Sequence, residues 1–131
     1  MDPKTVIGRN YVWSPIFDEN SFVSVLHEKC VWQRDQYWLL EWALYDLVLH
    51  DTPCEDIYEG VFRIFSFVSH AMGSHLDPND QFEIEDMESG VFYDFRERFQ
   101  MVFEGFFAKQ MPNHVACFDE VNPLLIKMDE N

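Results

Sequence analysis

The sequence predicts an all-α protein: a single-domain helical bundle of about four main helices across residues 1–131, with irregular N- and C-terminal arms. Three stretches carry that expectation. Val91 to Phe107, VFYDFRERFQMVFEGFF, places Val91, Phe92, Phe95, Phe99, Val102, Phe103, Phe106 and Phe107 within one arc of about 160° on a helix. Residues 34–50 are apolar on nearly every side, as in a helix central to its domain. Thr52-Pro53-Cys54-Glu55 spells a capping box with proline at the first helical position.

Residues 1–17 mix the turn formers Pro3, Gly8 and Pro15 with scattered apolar side chains, which suggests an irregular arm with room for a short strand. A first helix is expected after Asp18 as N-cap, with Phe17 and Phe22 as a hydrophobic staple and Phe22, Leu26 and Cys30 facing inward. The second helix starts at Arg34 or Asp35 and runs to His50. Within it Glu41 projects between Tyr45 and Val48, as either an acid with a raised pKa or one half of an ion pair.

The third helix buries Ile57, Val61, Ile64, Phe65, Val68 and Met72 and stops near Gly73. Residues 74–88 follow as an acidic connection in which Phe82 and Ile84 alternate with acids, as in a short extended piece. The fourth helix is capped by Asp86 or Ser89 and ends near Lys109. Asp94, Glu97, Arg98, Glu104 and Gly105 are assigned to its polar side, with Asp94 and Arg98 spaced as a supporting ion pair. Arg96 lies at the edge of the apolar arc, placed to snorkel or to reach a carboxylate such as Glu41. Residues 113–131 read as an irregular tail docked on the bundle.

The apolar fraction of 47% and aromatic fraction of 17% argue against disorder. The charge stands apart: 24 acids against 9 bases give −15. A surface so acidic repels nucleic acid and anionic membranes and attracts basic proteins. Cys30, Cys54 and Cys117 are odd in number and form no CxxC, so neither a disulfide framework nor a zinc site is expected. The N-terminus has no apolar leader core, and no run reaches the roughly 20 apolar residues of a membrane span. A cytoplasmic protein is expected.

No catalytic constellation stands out. Asp77, Asn79, Gln81 and Glu88 fall at calcium-loop positions, but Phe82 occupies the place where the loop needs glycine, so no metal is expected. His70 and His75, five apart, point away from each other on a helix. Ser66 and Ser69 lack a nucleophile elbow, and no glycine-rich phosphate loop occurs.

HEKCVWQRDQYWLLEWALYDL (27–47), RIFSFV (63–68), HLDPNDQFEI (75–84), FRERFQMVFEGFF (95–107) and NPLL (122–125) together resemble bacterial immunity proteins of polymorphic-toxin and contact-dependent inhibition systems, the family catalogued as immunity protein forty-one. That resemblance implies a small protein that neutralises a cognate toxin's C-terminal domain by binding it, with no catalysis and no cofactor. It supplies no ligand residues. The acidic charge adds that the toxin domain is basic, a nuclease being one such kind, and both monomer and homodimer stay open.

The carboxylate-rich segment Asp77, Asp80, Glu83, Glu85, Asp86 and Glu88 is the first candidate for partner binding, with Asp51, Glu55 and Asp56 as a second patch. A DNA-mimic inhibitor of a nucleic-acid enzyme is the alternative. It requires acids spaced like phosphates along one face, whereas these acids cluster in loops and helix starts.

Overall fold

The computed structural model describes residues 2–50 and 55–130, and among these every regular element is helical. In chain order the helices are α1 (Pro3–Asn10), α2 (Phe22–Lys29), α3 (Arg34–His50), α4 (Glu55–Leu76), α5 (Ser89–Ala108), α6 (His114–Cys117) and α7 (Pro123–Asp129). The all-α expectation holds, and α2 to α5 are the four main helices. The capping residues Thr52 to Cys54 lie outside the described residues, as does Asp51.

The N-terminal arm is a helix, which corrects the expectation of irregular structure. Pro3 sits at its first position after an extended Asp2, where the missing N–H costs nothing. Val6 and Ile7 are buried against α3 and α4. Asn10 then joins two helices from within the core. Its Nδ2 donates to the Val6 carbonyl at 2.9 Å, and its Oδ1 accepts from the Val23 amide at 3.1 Å.

The cap of α2 is Ser21, not Asp18: the Ser21 hydroxyl accepts from the Ser24 amide at 3.3 Å. Asp18 is drawn instead to Arg9, whose Nε and Nη2 both lie 2.9 Å from its Oδ2. Phe22 and Leu26 are buried as expected, and Cys30 closes α2 in the left-handed region at φ 57°.

α3 touches α1, α2, α5 and α7, which explains its apolar girdle: neighbours cover it on most sides. Its Tyr37 and Trp38 join Phe22, Trp32 and Phe95 in an aromatic cluster with ring centroids 4.8–5.7 Å apart. α4 meets α5 through rings, Phe65 lying stacked on Phe99 at 5.7 Å and tilted against Phe103 at 5.7 Å. Gly73 does not stop α4, which continues to Leu76, because glycine at an exposed helical site is tolerated at about 1 kcal/mol.

At the start of α5, Glu88 occupies the cap position without a side-chain capping bond, so neither Asp86 nor Ser89 plays that part. Its end is a Schellman turn. Lys109, left-handed at φ 59°, donates to the Phe106 carbonyl, and Gln110 donates to that of Gly105 at 2.9 Å. Gly105 is buried under this turn rather than on a polar side. A Cβ there would meet the Gln110 carbonyl oxygen and Pro112 Cδ, each at 2.9 Å.

The C-terminal tail is also helical, contrary to the expected irregular arm. Asn113 caps α6 by accepting from Val115 and Ala116, and Asn122 caps α7 by accepting from Leu124, with Pro123 at the first position. Leu125 is fully buried.

Candidate partner-binding surface

Asp77, Asp80, Glu83, Glu85, Asp86 and Glu88 are all exposed, on the one connection from α4 to α5. No strand forms there, because the backbone amides are taken by side chains and by another segment rather than by a ladder. Asp77 Oδ1 accepts from the Asn79 amide and Asp80 Oδ1 from the Phe82 amide, each at 2.9 Å. The Phe82 amide, helped by the Ser74 side chain, holds the Asp80 carboxyl below its ordinary pKa.

The second half of the loop is fastened to the core. Ile84 is buried, and its amide donates to His75 Nδ1 at 2.9 Å, while the His75 ring stacks on Phe92 at 4.4 Å. The Glu85 amide donates to the Cys30 carbonyl at 2.9 Å, and Asp86 Oδ1 accepts from the Trp32 amide at 2.9 Å. The left-handed turn at Cys30 thus presents a carbonyl that ties down the acidic loop. Asp77, Asp80 and Asp86 spend one carboxylate oxygen on the fold, whereas Glu83, Glu85 and Glu88 form no ion pair with any described residue.

Glu55 and Asp56 are exposed on the first turn of α4. The 22 residues of that helix separate them from the acidic loop by about 30 Å. The two patches therefore occupy opposite ends of α4.

Glu41 and Arg96 resolve differently from the sequence reading. Glu41 is buried and pairs with Arg98: Arg98 Nε donates to Oε2 at 2.9 Å and Nη2 to Oε1 at 2.6 Å. Arg98 Nη1 donates to the Glu120 carbonyl at 2.6 Å, and its guanidinium lies over the Trp38 and Phe118 rings at 4.6 and 4.3 Å. Asn122 Nδ2 completes the network by donating to the Trp38 carbonyl at 3.0 Å and to Glu41 Oε1 at 3.3 Å.

Burial opposes the Arg98 charge, but the Glu41 hydrogen bonds and charge outweigh it and raise the pKa. Burial, and then the Glu41 charge, push the Tyr37 and Tyr45 hydroxyls upward. Glu41 is thus a structural partner of Arg98, with both oxygens committed.

Arg96 is exposed and makes no contact with Glu41. The sequence expectation sets Arg98 on the polar side with Asp94, yet on a helix it projects only about 20° from Val91, the edge of the apolar arc. The signal was present in the spacing: Val91, Phe95, Arg98, Val102 and Gly105 form one stripe at alternating intervals of four and three.

Sequence reading also missed a cleft of about 240 Å³ between α5 and the segment joining α6 to α7. Asp94, Glu97, Asp119 and Glu120 lie around it, and Phe95, Met101 and Phe118 contribute apolar lining. Its two walls are some 20 residues apart in sequence, so no local motif announced it. No family model, no curated protein and no solved structure matches this chain.

Proposed function

We propose that this chain is an immunity protein: it binds the basic C-terminal domain of a cognate bacterial toxin and neutralises it by occupation, without catalysis or cofactor. The observation that carries the reading is the fixed acidic loop. Glu83, Glu85 and Glu88 are exposed on a backbone anchored by Ile84, Glu85 and Asp86. Holding these charges in place in advance lowers the ordering cost of association. The net charge of −15 attracts a basic partner from a distance. The resemblance carried by the RERFQ and FEGFF blocks supports the same class.

A stable complex needs about 800 Å² from this side, more than one loop supplies, so neighbouring surface takes part. The test is calorimetric titration with the C-terminal domain of the protein encoded immediately upstream, at two salt concentrations. One-to-one binding that weakens with salt is expected. Absence of binding overturns the reading. Glu83→Gln, Glu85→Gln and Glu88→Gln together should slow association several-fold and flatten its salt dependence, since rim charges act mainly on the on-rate. Neutralising Asp80 and Asp86 as well would confound charge with loop anchoring.

A further inference from the structure

The acidic loop leads directly into the N-terminal half of α5, and there the surface stops being flat. Glu88 precedes α5, and Val91, in the first turn of that helix, already lines the cleft described above. The cleft joins an apolar floor of Phe95, Met101 and Phe118 to a carboxylate rim of Asp94, Glu97, Asp119 and Glu120. Of the four rim carboxylates only Glu120 is neutralised from within, by Arg34. Arg98 reaches the cleft but is committed to Glu41 and the Glu120 carbonyl, and Arg34, whose guanidinium lies 5.1 Å over the Phe95 ring, pairs among the rim carboxylates with Glu120 alone, at 2.6 Å. Asp94, Glu97 and Asp119 make no ion pair with any described residue, and all three are exposed.

We infer that this cleft receives an arginine side chain from a basic protein partner; the identity of that partner as a toxin domain rests on the reading above. The chemistry selects the guest. An arginine stem is apolar and packs on methionine and phenylalanine, while its fork donates to carboxylates in pairs and its plane stacks on rings. Arg98 already shows this mode inside the protein, with its guanidinium over Phe118 and its donors on a carboxylate. A volume of about 240 Å³ admits one such side chain and no globular element. The acidic loop thereby supplies the approach and the cleft the anchor, the usual division between rim charge and central hot spot.

Two variants separate the cleft from bulk charge. Asp94→Asn, Glu97→Gln and Asp119→Asn together remove the three rim charges that Arg34 does not pair; Met101→Trp keeps every carboxylate and fills the floor. Circular dichroism and thermal unfolding verify that both fold. The first probe is acetyl-Arg-Arg-amide, titrated into the full chain and followed by amide chemical shifts. Saturable shifts confined to residues 91–101 and 117–120, lost in both variants, are expected. Shifts spread equally over the 77–88 loop, or shifts that survive Met101→Trp, overturn the cleft.

The second probe is the upstream toxin domain. Each variant should raise its dissociation rate by roughly tenfold or more, whereas the triple loop variant acts on association. Unchanged dissociation from an otherwise tight complex overturns the cleft as the docking point. If the peptide saturates the cleft while the toxin domain fails to bind, the toxin reading fails and the arginine site stands.

Discussion

Arg98 and Glu41 face each other across the α3–α5 interface, joined by two hydrogen bonds of 2.9 and 2.6 Å, with side chains only 5% and 0% exposed. Glu41 is shut off from bulk water, and Arg98 shows only a sliver of its side chain to the cleft beside it. Their attraction repays desolvation only because Asn122, the Glu120 carbonyl and the rings of Trp38 and Phe118 complete the shell.

Removing one partner alone strands the other. Glu41→Leu or Arg98→Met is expected to cost about 3–5 kcal/mol in urea unfolding, and the double variant much less than the sum. Single costs that simply add in the double variant would show that the two residues are not coupled.

Gly105 and Lys109 belong to the same helix-ending turn and respond in opposite directions. Gly105→Ala forces a Cβ to 2.9 Å from the Gln110 carbonyl oxygen and should lose about 1–3 kcal/mol despite better helix propensity. Lys109→Gly relieves a left-handed non-glycine residue at φ 59° and should gain about 1 kcal/mol. Thermal midpoints moving down for the first and up for the second check both.

Asn122 caps α7 through its oxygen and holds the Trp38 carbonyl through its nitrogen. Asn122→Ala leaves that buried carbonyl short of a donor, so a loss of about 2–3 kcal/mol is expected. Amide exchange should accelerate first in residues 123–129 and 38–42, and uniform acceleration across the chain would contradict the local role.

The acidic loop should loosen at low pH. The Asp80 carboxyl titrates below its ordinary 3.8 because the Phe82 amide and the Ser74 side chain favour its charged form. Its contribution is therefore present above 3.8 and disappears as pH falls through the lowered folded value. Asp80→Ala should unfold below wild type at about pH 7 in roughly 0.15 M salt, and the gap should close as pH falls below 3.8 and through the lowered folded value. A gap that persists there would mean that the carboxylate charge is not what holds the turn.

Composition and periodicity by themselves determined the helical class, the bounds of α3, the inward stripe of α4 and the apolar wall of α5 as far as Phe106, whereas Phe107, expected on the same arc, is exposed. Each of these depends on neighbours within one or two turns. The terminal helices escaped notice because they are short and their signals were slight: Pro3 after Asp2, and Pro123 after Asn122. Such caps specify a helix only when a buried contact, Ile7 or Leu125, repays the cost of nucleation.

Tertiary structure alone decided which arginine meets Glu41, why Gly105 admits no side chain, and where Asp94, Glu97, Asp119 and Glu120 converge. The acidic segment was legible as charge, but its anchoring to Cys30 and Trp32 was not, since those partners lie 54 or 55 positions away in the chain. Periodicity reports which face of a helix turns inward. Which groups meet there depends on how the helices cross, and that is settled by the packing of the whole core at once.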